Sequence, residues 1–169
     1  GVYKQIELAG RTCYKSEDKI TEDSAKSFVD RMIKSKHGAM LEHGTVYLKA
    51  PSKYGLPSNE LNKYEHNPYS KYTSVDGYVY VTTNLRVLFE NGWLSDLDNY
   101  LCEPTEYHER RYMVRFTVDR FTGEEFLRHR FASFNRESTI YVLFTKEKFG
   151  GGSIKYIVPV WLLDRMEKG

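Results

Sequence analysis

The spacing of apolar side chains along the chain predicts a mixture of helices and strands. In residues 21–37 apolar positions recur at intervals of three and four, which predicts an amphipathic helix that starts at Thr21 and ends at Gly38. Residues 45–50 and 77–83 alternate β-branched or aromatic residues with polar ones between turn signals. This alternation predicts two strands.

The most regular alternation lies in residues 111–119, which predict a further strand with its apolar side chains on one face. A helix is expected directly after it, because Thr122 and Glu125 have the spacing of a capping box. This helix would carry three adjacent polar residues: Arg128, His129 and Arg130.

A short helix is also predicted between residues 84 and 92. Asn84 is a favourable N-cap, and Gly92 can adopt the left-handed conformation that ends a helix. Near the C-terminal end the pattern predicts two more strands and the first turns of another helix: residues 138–145, residues 153–158 and the segment that Pro159 opens.

Composition places these elements in one domain. A chain of 169 residues that is 40% hydrophobic can form a single core, and an aromatic content of 15% favours an α+β fold, mainly an antiparallel sheet packed with helices, over a helical bundle. The turn-rich and tyrosine-rich residues 51–99 are expected to leave that core. No long apolar run or export signal is visible, so we expect a cytoplasmic protein with no membrane partner.

Charge and cysteine content exclude further classes. The net charge is only +2, which does not favour a nucleic-acid coat, although tyrosine stacking beside a local arginine cluster leaves a small nucleic-acid-binding module as a weaker alternative. Cys13 and Cys102 lie too far apart in sequence for a CxxC metal pair and form no disulfide framework.

The richest polar cluster spans residues 128–138. Guanidinium, imidazole, hydroxyl and carboxamide groups lie close together there, and arginine forks bind phosphate through paired hydrogen bonds. On a helix Arg128 and Arg130 would point in nearly opposite directions, so the cluster suits a segment between two anionic groups or between a ligand and another subunit. The alternative is a solvated helix face on which Glu125 pairs with Arg128.

Other chemistries are less well supported. His37 and His43 are six positions apart, a poor spacing for a helical metal pair, so each is either a structural histidine or, for His43, a hydrogen-bonding or stacking partner of a cofactor. Ser133 and Ser138 lie near His129, but no GxSxG turn accompanies them and a hydrolase triad is not favoured.

The stretch RHRFASFNRES resembles the RHRxxSxNxxSxR signature of the flavin-dependent thymidylate synthases. Three other stretches are similar to family motifs and occur in the family's order: LAGRTCY to a first-helix motif, HGAMLEH to a glycine–histidine turn, and RFTVDRFTGEEFLRHR to the strand and helix before the signature. The resemblance implies an α+β homotetramer that binds FAD at subunit boundaries. It also implies conversion of dUMP to dTMP with methylenetetrahydrofolate as one-carbon donor and NADPH as reductant of the flavin.

The resemblance also implies roles for individual residues. Arg128, His129, Arg130 and Asn135 would bind the flavin, and His43 would lie against its ring. Ser138 would contact dUMP, with Arg136 and Glu125 on the same nucleotide side. No protein nucleophile is needed, because the flavin carries the chemistry.

The chain departs from the family pattern at three signature positions. Ile140 stands where the family has an arginine, which removes a charge-assisted contact to the nucleotide phosphate. Glu125 replaces a glutamine, and Arg136, where the family has glutamate, could supply the lost contact. These changes leave open an alternative: a flavin- or nucleotide-binding relative that does not methylate.

Two departures concern the architecture. Residues 51–110 separate segments that lie close together in typical family members, so an insertion is expected there. Family members also continue for several helices beyond the position of Pro159. The resemblance therefore implies either a fragment or a shortened relative with part of the site.

Overall fold

The computed structural model describes residues 1–52, 60–129, 131–137, 157–158 and 162–163. Within them the chain is α+β, with a small antiparallel sheet and helices. The helices are α1 Val2–Tyr14, α2 Ser24–Lys34, α3 Gly38–Leu41, α4 Leu85–Asn91, α5 Asp96–Tyr100 and α6 Arg120–Phe126, and Glu17–Lys19 and Asn62–Tyr64 form 3-10 turns. The strands are β1 Thr45–Pro51, β2 Lys71–Val75 and β3 Tyr78–Asn84.

The three strands are ordered β1-β3-β2, and both pairs are antiparallel. Thr45 pairs with Asn84 at one end of β1 and Pro51 with Tyr78 at the other. Alternate side chains of β1 are buried, whereas β3 is buried on both faces after its first residue. Strand β3 is therefore the central strand and is covered on both faces, which agrees with the apolar sequence of this strand.

The core lies between this sheet and the N-terminal helices. Ile6 of α1 and Val29 of α2 are fully buried there, together with strand residues such as Val46 and Val81. Phe28 lies against Gly10, where a Cβ atom would approach its ring to 2.5 Å. Helices α1 and α2 therefore pack closely at this glycine.

The prediction that residues 51–99 leave the core is wrong. They supply β2 and β3, and Leu61 and Tyr64 are fully buried. The Tyr64 hydroxyl donates to Asp96 Oδ2 at 2.7 Å, which removes the cost of burying it. A tyrosine-rich segment can therefore form core when its hydroxyl groups find acceptors.

Several predicted elements are confirmed. Both early strands are present, and the short helix α4 begins and ends as expected. The Asn84 side chain accepts a hydrogen bond from the Val87 amide at 3.1 Å, and Gly92 adopts φ of 72°. The predicted helix 21–37 is shorter: Asp23 takes the N-cap position instead of Thr21, and Gly38 begins α3 instead of ending α2.

The strand predicted at residues 111–119 is not formed. Tyr112, Val114 and Phe116 are 82%, 63% and 60% exposed. A strand requires a neighbour to satisfy its backbone groups, and no described residue forms a ladder with this segment. The alternating pattern would place the apolar side chains on one face of a strand, but it does not provide a neighbouring strand for pairing.

The helix predicted from Thr122 also differs. It begins at Arg120, because the carboxylate of Asp119 accepts hydrogen bonds from the Thr122 amide and hydroxyl at 3.0 and 2.7 Å. It ends at Phe126, so Arg128 and His129 follow the helix instead of lying on it. The prediction that they project from successive helical positions is therefore wrong.

Some predictions lie outside the described residues: those on Arg130, Ser138 and Ile140, on the strand 138–145, on most of the strand 153–158, and on most of the helix that Pro159 would open. Across the described ranges, no helix is both long enough and apolar enough to cross a membrane.

Candidate functional site

A surface cleft of about 460 Å³ lies where the signature segment meets the glycine–histidine turn. Its volume is within the range usual for ligand pockets. The described residues that line it are Glu42, Tyr69, Leu127, His129, Ala132, Ser133 and Phe134. The cleft therefore combines an imidazole, a hydroxyl and a carboxylate with aromatic and apolar walls.

Asn135 joins three sequence segments at one point. Its side-chain Nδ2 donates to the Ala9 carbonyl oxygen at 2.6 Å and lies 3.2 Å from Met40 Sδ. Ala9 belongs to LAGRTCY on α1, Met40 belongs to HGAMLEH on α3, and Asn135 itself belongs to the signature. The three motifs are thus adjacent in space although they are far apart in sequence.

One ion pair also links the signature segment to the end of α1. Glu137 Oε1 lies 3.6 Å from Lys15 Nζ. Burial raises the pKa of the Cys13 thiol, and the positive charge of Arg136 opposes that rise. The ion pair of Glu137 and the hydrogen bond of Asn135 to Ala9 therefore place residues 135–137 against α1.

The polar contacts of Asn135 bear on its predicted role. Both run to the protein interior, so the described structure gives the amide a positioning role. It orders the segment that carries His129 and Ser133. Direct contact of Asn135 with a flavin stays a prediction.

His43 lies at the end of the glycine–histidine turn and is partly buried. Its Nε2 atom is inaccessible to water and has no hydrogen-bond partner among the residues that the structure describes. Burial lowers the pKa of His43, although the neighbouring Glu42 carboxylate acts in the opposite direction. His43 is therefore not a fully satisfied structural histidine within the described residues, and its contact with a flavin stays a prediction.

Glu42 is fixed at the edge of the cleft by an arginine from α4. Arg86 forms ion pairs with Glu42 and, at 2.7 Å, with Glu90, and these hydrogen bonds raise its pKa. The Arg86 side chain also lies over Gly38, where a Cβ atom would come within 3.1 Å of Nε. The carboxylate of Glu42 therefore has a defined position.

Two arginines of the signature, Arg128 and Arg136, are paired with carboxylates of α6. Arg128 pairs with Glu125, as the solvated-face alternative predicts, and its side chain is 74% exposed. Arg136 lies 3.3 Å from Glu124, and hydrogen bonds from Arg120 and Arg136 lower the pKa of that carboxylate. Neither arginine is among the residues that line the cleft.

The structure thus brings together only part of the predicted site. His129, Ser133 and the glycine–histidine turn share the cleft region, whereas Arg128 points to solvent. Sequence reasoning missed Tyr69, which comes from the segment expected to be an insertion, and the use of Glu42 as a lining residue. Glu42 belongs to HGAMLEH, which is similar to a family motif, but no sequence pattern indicated Tyr69 as a site residue.

Comparisons of the chain with protein-family models, with curated proteins and with solved structures found no match. Within the described residues, Cys13 and Cys102 are free thiols, and no group of three or more metal-ligating side chains is present.

Proposed function

We propose that the chain is a flavin-dependent thymidylate synthase that methylates dUMP to dTMP with methylenetetrahydrofolate, FAD and NADPH. The observation that carries the proposal is the contact of Asn135 with Ala9 and Met40. Three short stretches that resemble motifs of one family would not be expected to meet at one side chain if each resemblance were accidental.

The residues around the cleft fit one end of a flavin. His129 and Ser133 offer hydrogen-bonding groups, and Phe134 and Tyr69 offer aromatic surface for a planar ring. The imidazole of His43 follows Glu42 in the chain but is buried behind the cleft lining, so it would meet a flavin only after a side-chain movement exposes its Nε2 atom. When bound, the flavin would supply the hydride that completes the methyl group, and the chain would position the ligands and exclude water.

The exposure of Arg128 favours a site shared between subunits. A guanidinium that is 74% exposed in one chain can reach a ligand or a second copy at its surface. The resemblance implies a homotetramer with flavin at its boundaries, and we propose the same arrangement here. Arg128 would then exchange Glu125 for a ligand phosphate.

A second candidate is a relative that binds flavin or a nucleotide but does not methylate. Two acidic residues of α6 favour this candidate, because they form ion pairs with arginines of the signature. Glu125 pairs with Arg128, and Glu124 pairs with Arg136. A carboxylate near a phosphate site repels the ligand unless its pairing with arginine persists. Less positive charge is therefore available to bind the phosphate of dUMP.

Flavin binding is tested first. Purified full chain should take up FAD, with a yellow flavin spectrum and quenched flavin fluorescence. Ser133→Ala and His129→Ala should each weaken FAD binding roughly tenfold, because each removes a hydrogen-bonding group from the cleft. Arg120→Gln is the matched control, since Arg120 is exposed, pairs with Glu124 and does not line the cleft. Absence of FAD binding, or equal weakening in the control, contradicts the proposal.

Tritium release from ring-labelled dUMP separates the two candidates. A methylating enzyme releases tritium only when methylenetetrahydrofolate, FAD and NADPH are all present. Saturable FAD binding without tritium release favours the non-methylating relative. Restoration of release by Glu125→Gln would then identify the acidic residue as the cause.

A further inference from the structure

A second cleft, of about 340 Å³, lies between α1, the Glu17–Lys19 turn and α2. Its lining includes three cationic side chains, Arg11, Lys19 and Arg31, and the aromatic side chain of Phe28. None of its lining residues belongs to the cleft of the proposed function.

Arg11 is the buried member of this cation cluster. Its side chain is only 9% exposed, and its Nε donates to Glu7 Oε1 at 2.7 Å. Ser24 Oγ donates to the other oxygen of Glu7 at 2.9 Å. Across the described ranges, the two terminal nitrogens of the Arg11 guanidinium have no hydrogen-bond acceptor. They remain available to a ligand in the cleft, since the ion pair with Glu7 uses only Nε.

Lys19 and Arg31 add positive charge at the mouth of the cleft. Neither forms an ion pair with a carboxylate in the part of the chain that the structure describes. Two acidic residues near the cleft pair with other cations, since Glu17 lies 3.2 Å from Arg115 and Asp30 lies 3.1 Å from Lys26, and no acidic residue is among the described residues that line it. The cleft therefore has an excess of cations over carboxylates.

The floor of the cleft is aromatic and apolar. The guanidinium carbons of Arg11 and Arg31 lie 5.2 and 5.7 Å from the centroid of the Phe28 ring, within the range of cation–π contact. Met32 extends the apolar surface. Stacking on Phe28 orients both guanidiniums without using their N–H groups.

From this arrangement we propose that the cleft binds a small organic anion, with a phosphate or carboxylate group on the three cations and an apolar or aromatic body against the apolar lining, to which Met32 and the small exposed part of Phe28 contribute. Arginine forks bind both anionic groups through paired hydrogen bonds. The apolar floor distinguishes such a ligand from inorganic phosphate, because a bare oxyanion buries no apolar surface.

The experiment is titration of the full chain with phenyl phosphate, inorganic phosphate and phenol, followed by calorimetry and by NMR shifts of the Arg11 and Phe28 side chains. Phenyl phosphate should bind roughly tenfold more tightly than inorganic phosphate, and phenol should not bind measurably. The double variant Lys19→Gln/Arg31→Gln should lose at least about tenfold in phenyl phosphate affinity.

The matched control is Lys26→Gln/Lys34→Gln, which removes two exposed charges from the same helix but none from the cleft. It should change the affinity by less than about twofold. Equal loss in both double variants, binding of phenol as tight as that of phenyl phosphate, or no shift at Arg11 and Phe28 in the wild-type chain overturns the proposal. The wild-type shifts decide the question even if a variant fails to fold. FAD binding is measured separately, so the two proposals fail independently.

Discussion

The contact of Asn135 with α1 and α3 gives the sharpest test of how the candidate site is built. Asn135→Ala removes the hydrogen bond to the Ala9 carbonyl at 2.6 Å and the contact with Met40 Sδ at 3.2 Å. A neutral hydrogen bond contributes about 0.5–1.5 kcal/mol net, and we allow a smaller amount for the thioether contact. The signature segment should therefore lose about 1–2 kcal/mol of docking free energy.

This loss corresponds to roughly a fivefold to thirtyfold increase in local opening, since about 1.4 kcal/mol is a factor of ten. Native-state hydrogen exchange of the amides in residues 131–137 measures the opening directly. FAD affinity should fall as well, by at most the same factor, because the same segment carries Ser133 into the cleft. Exchange within the core strand β3 should stay unchanged.

Glu137→Gln is the control for this prediction. It removes another contact of the same segment with α1, but the carboxylate lies 3.6 Å from Lys15 and is 36% exposed. An exposed ion pair of this kind contributes less than about 1 kcal/mol. If Asn135→Ala leaves both exchange and FAD affinity at wild-type values, or if the two variants behave alike, Asn135 does not organise the site.

Three further predictions concern the fold. Asn84→Ala should lower the free energy of unfolding in urea by about 1 kcal/mol through loss of the α4 cap, whereas exposed Asn99→Ala should change it little. Gly92→Ala should cost about 1 kcal/mol in the same assay, because φ is 72° there. Burial lowers the pKa of His108, whose Nδ1 accepts a hydrogen bond from the Thr105 amide at 3.0 Å. The free energy of unfolding should therefore fall as the pH drops below about 6.5. The variant His108→Gln should reduce this fall.

The sign of the pH effect follows from which state binds the proton. His108 stays neutral in the folded chain, where Nε2 donates to the Leu48 carbonyl at 3.1 Å, and is protonated first in the unfolded chain. The stabilisation is complete above the ordinary histidine pKa and is lost as pH falls towards the lowered one. An unfolding free energy that stays constant or increases as the pH is lowered from 7.5 to 5.5 contradicts this assignment. His43, whose pKa burial also lowers, contributes in the same direction.

Local sequence determined the elements whose stabilising contacts are themselves local. The helix α4 is the clearest case, since its cap at Asn84 and its end at Gly92 involve residues only a few positions away. Strands β1 and β3 were also predictable, because alternating or continuous apolar positions have a direct meaning at a buried sheet. The α+β class follows from these elements.

Tertiary structure decided what depends on distant partners. Residues 111–119 have the pattern of a strand but no ladder with any described strand, and Tyr64 enters the core because Asp96 accepts its hydroxyl proton. The sequence likewise marked the signature segment as chemically active without showing which side chains face inward. Asn135 donates a hydrogen bond to α1, Arg128 pairs with Glu125, and Tyr69 lines the cleft. For Asn135 and Tyr69 the position of the side chain depends on residues that are distant in sequence.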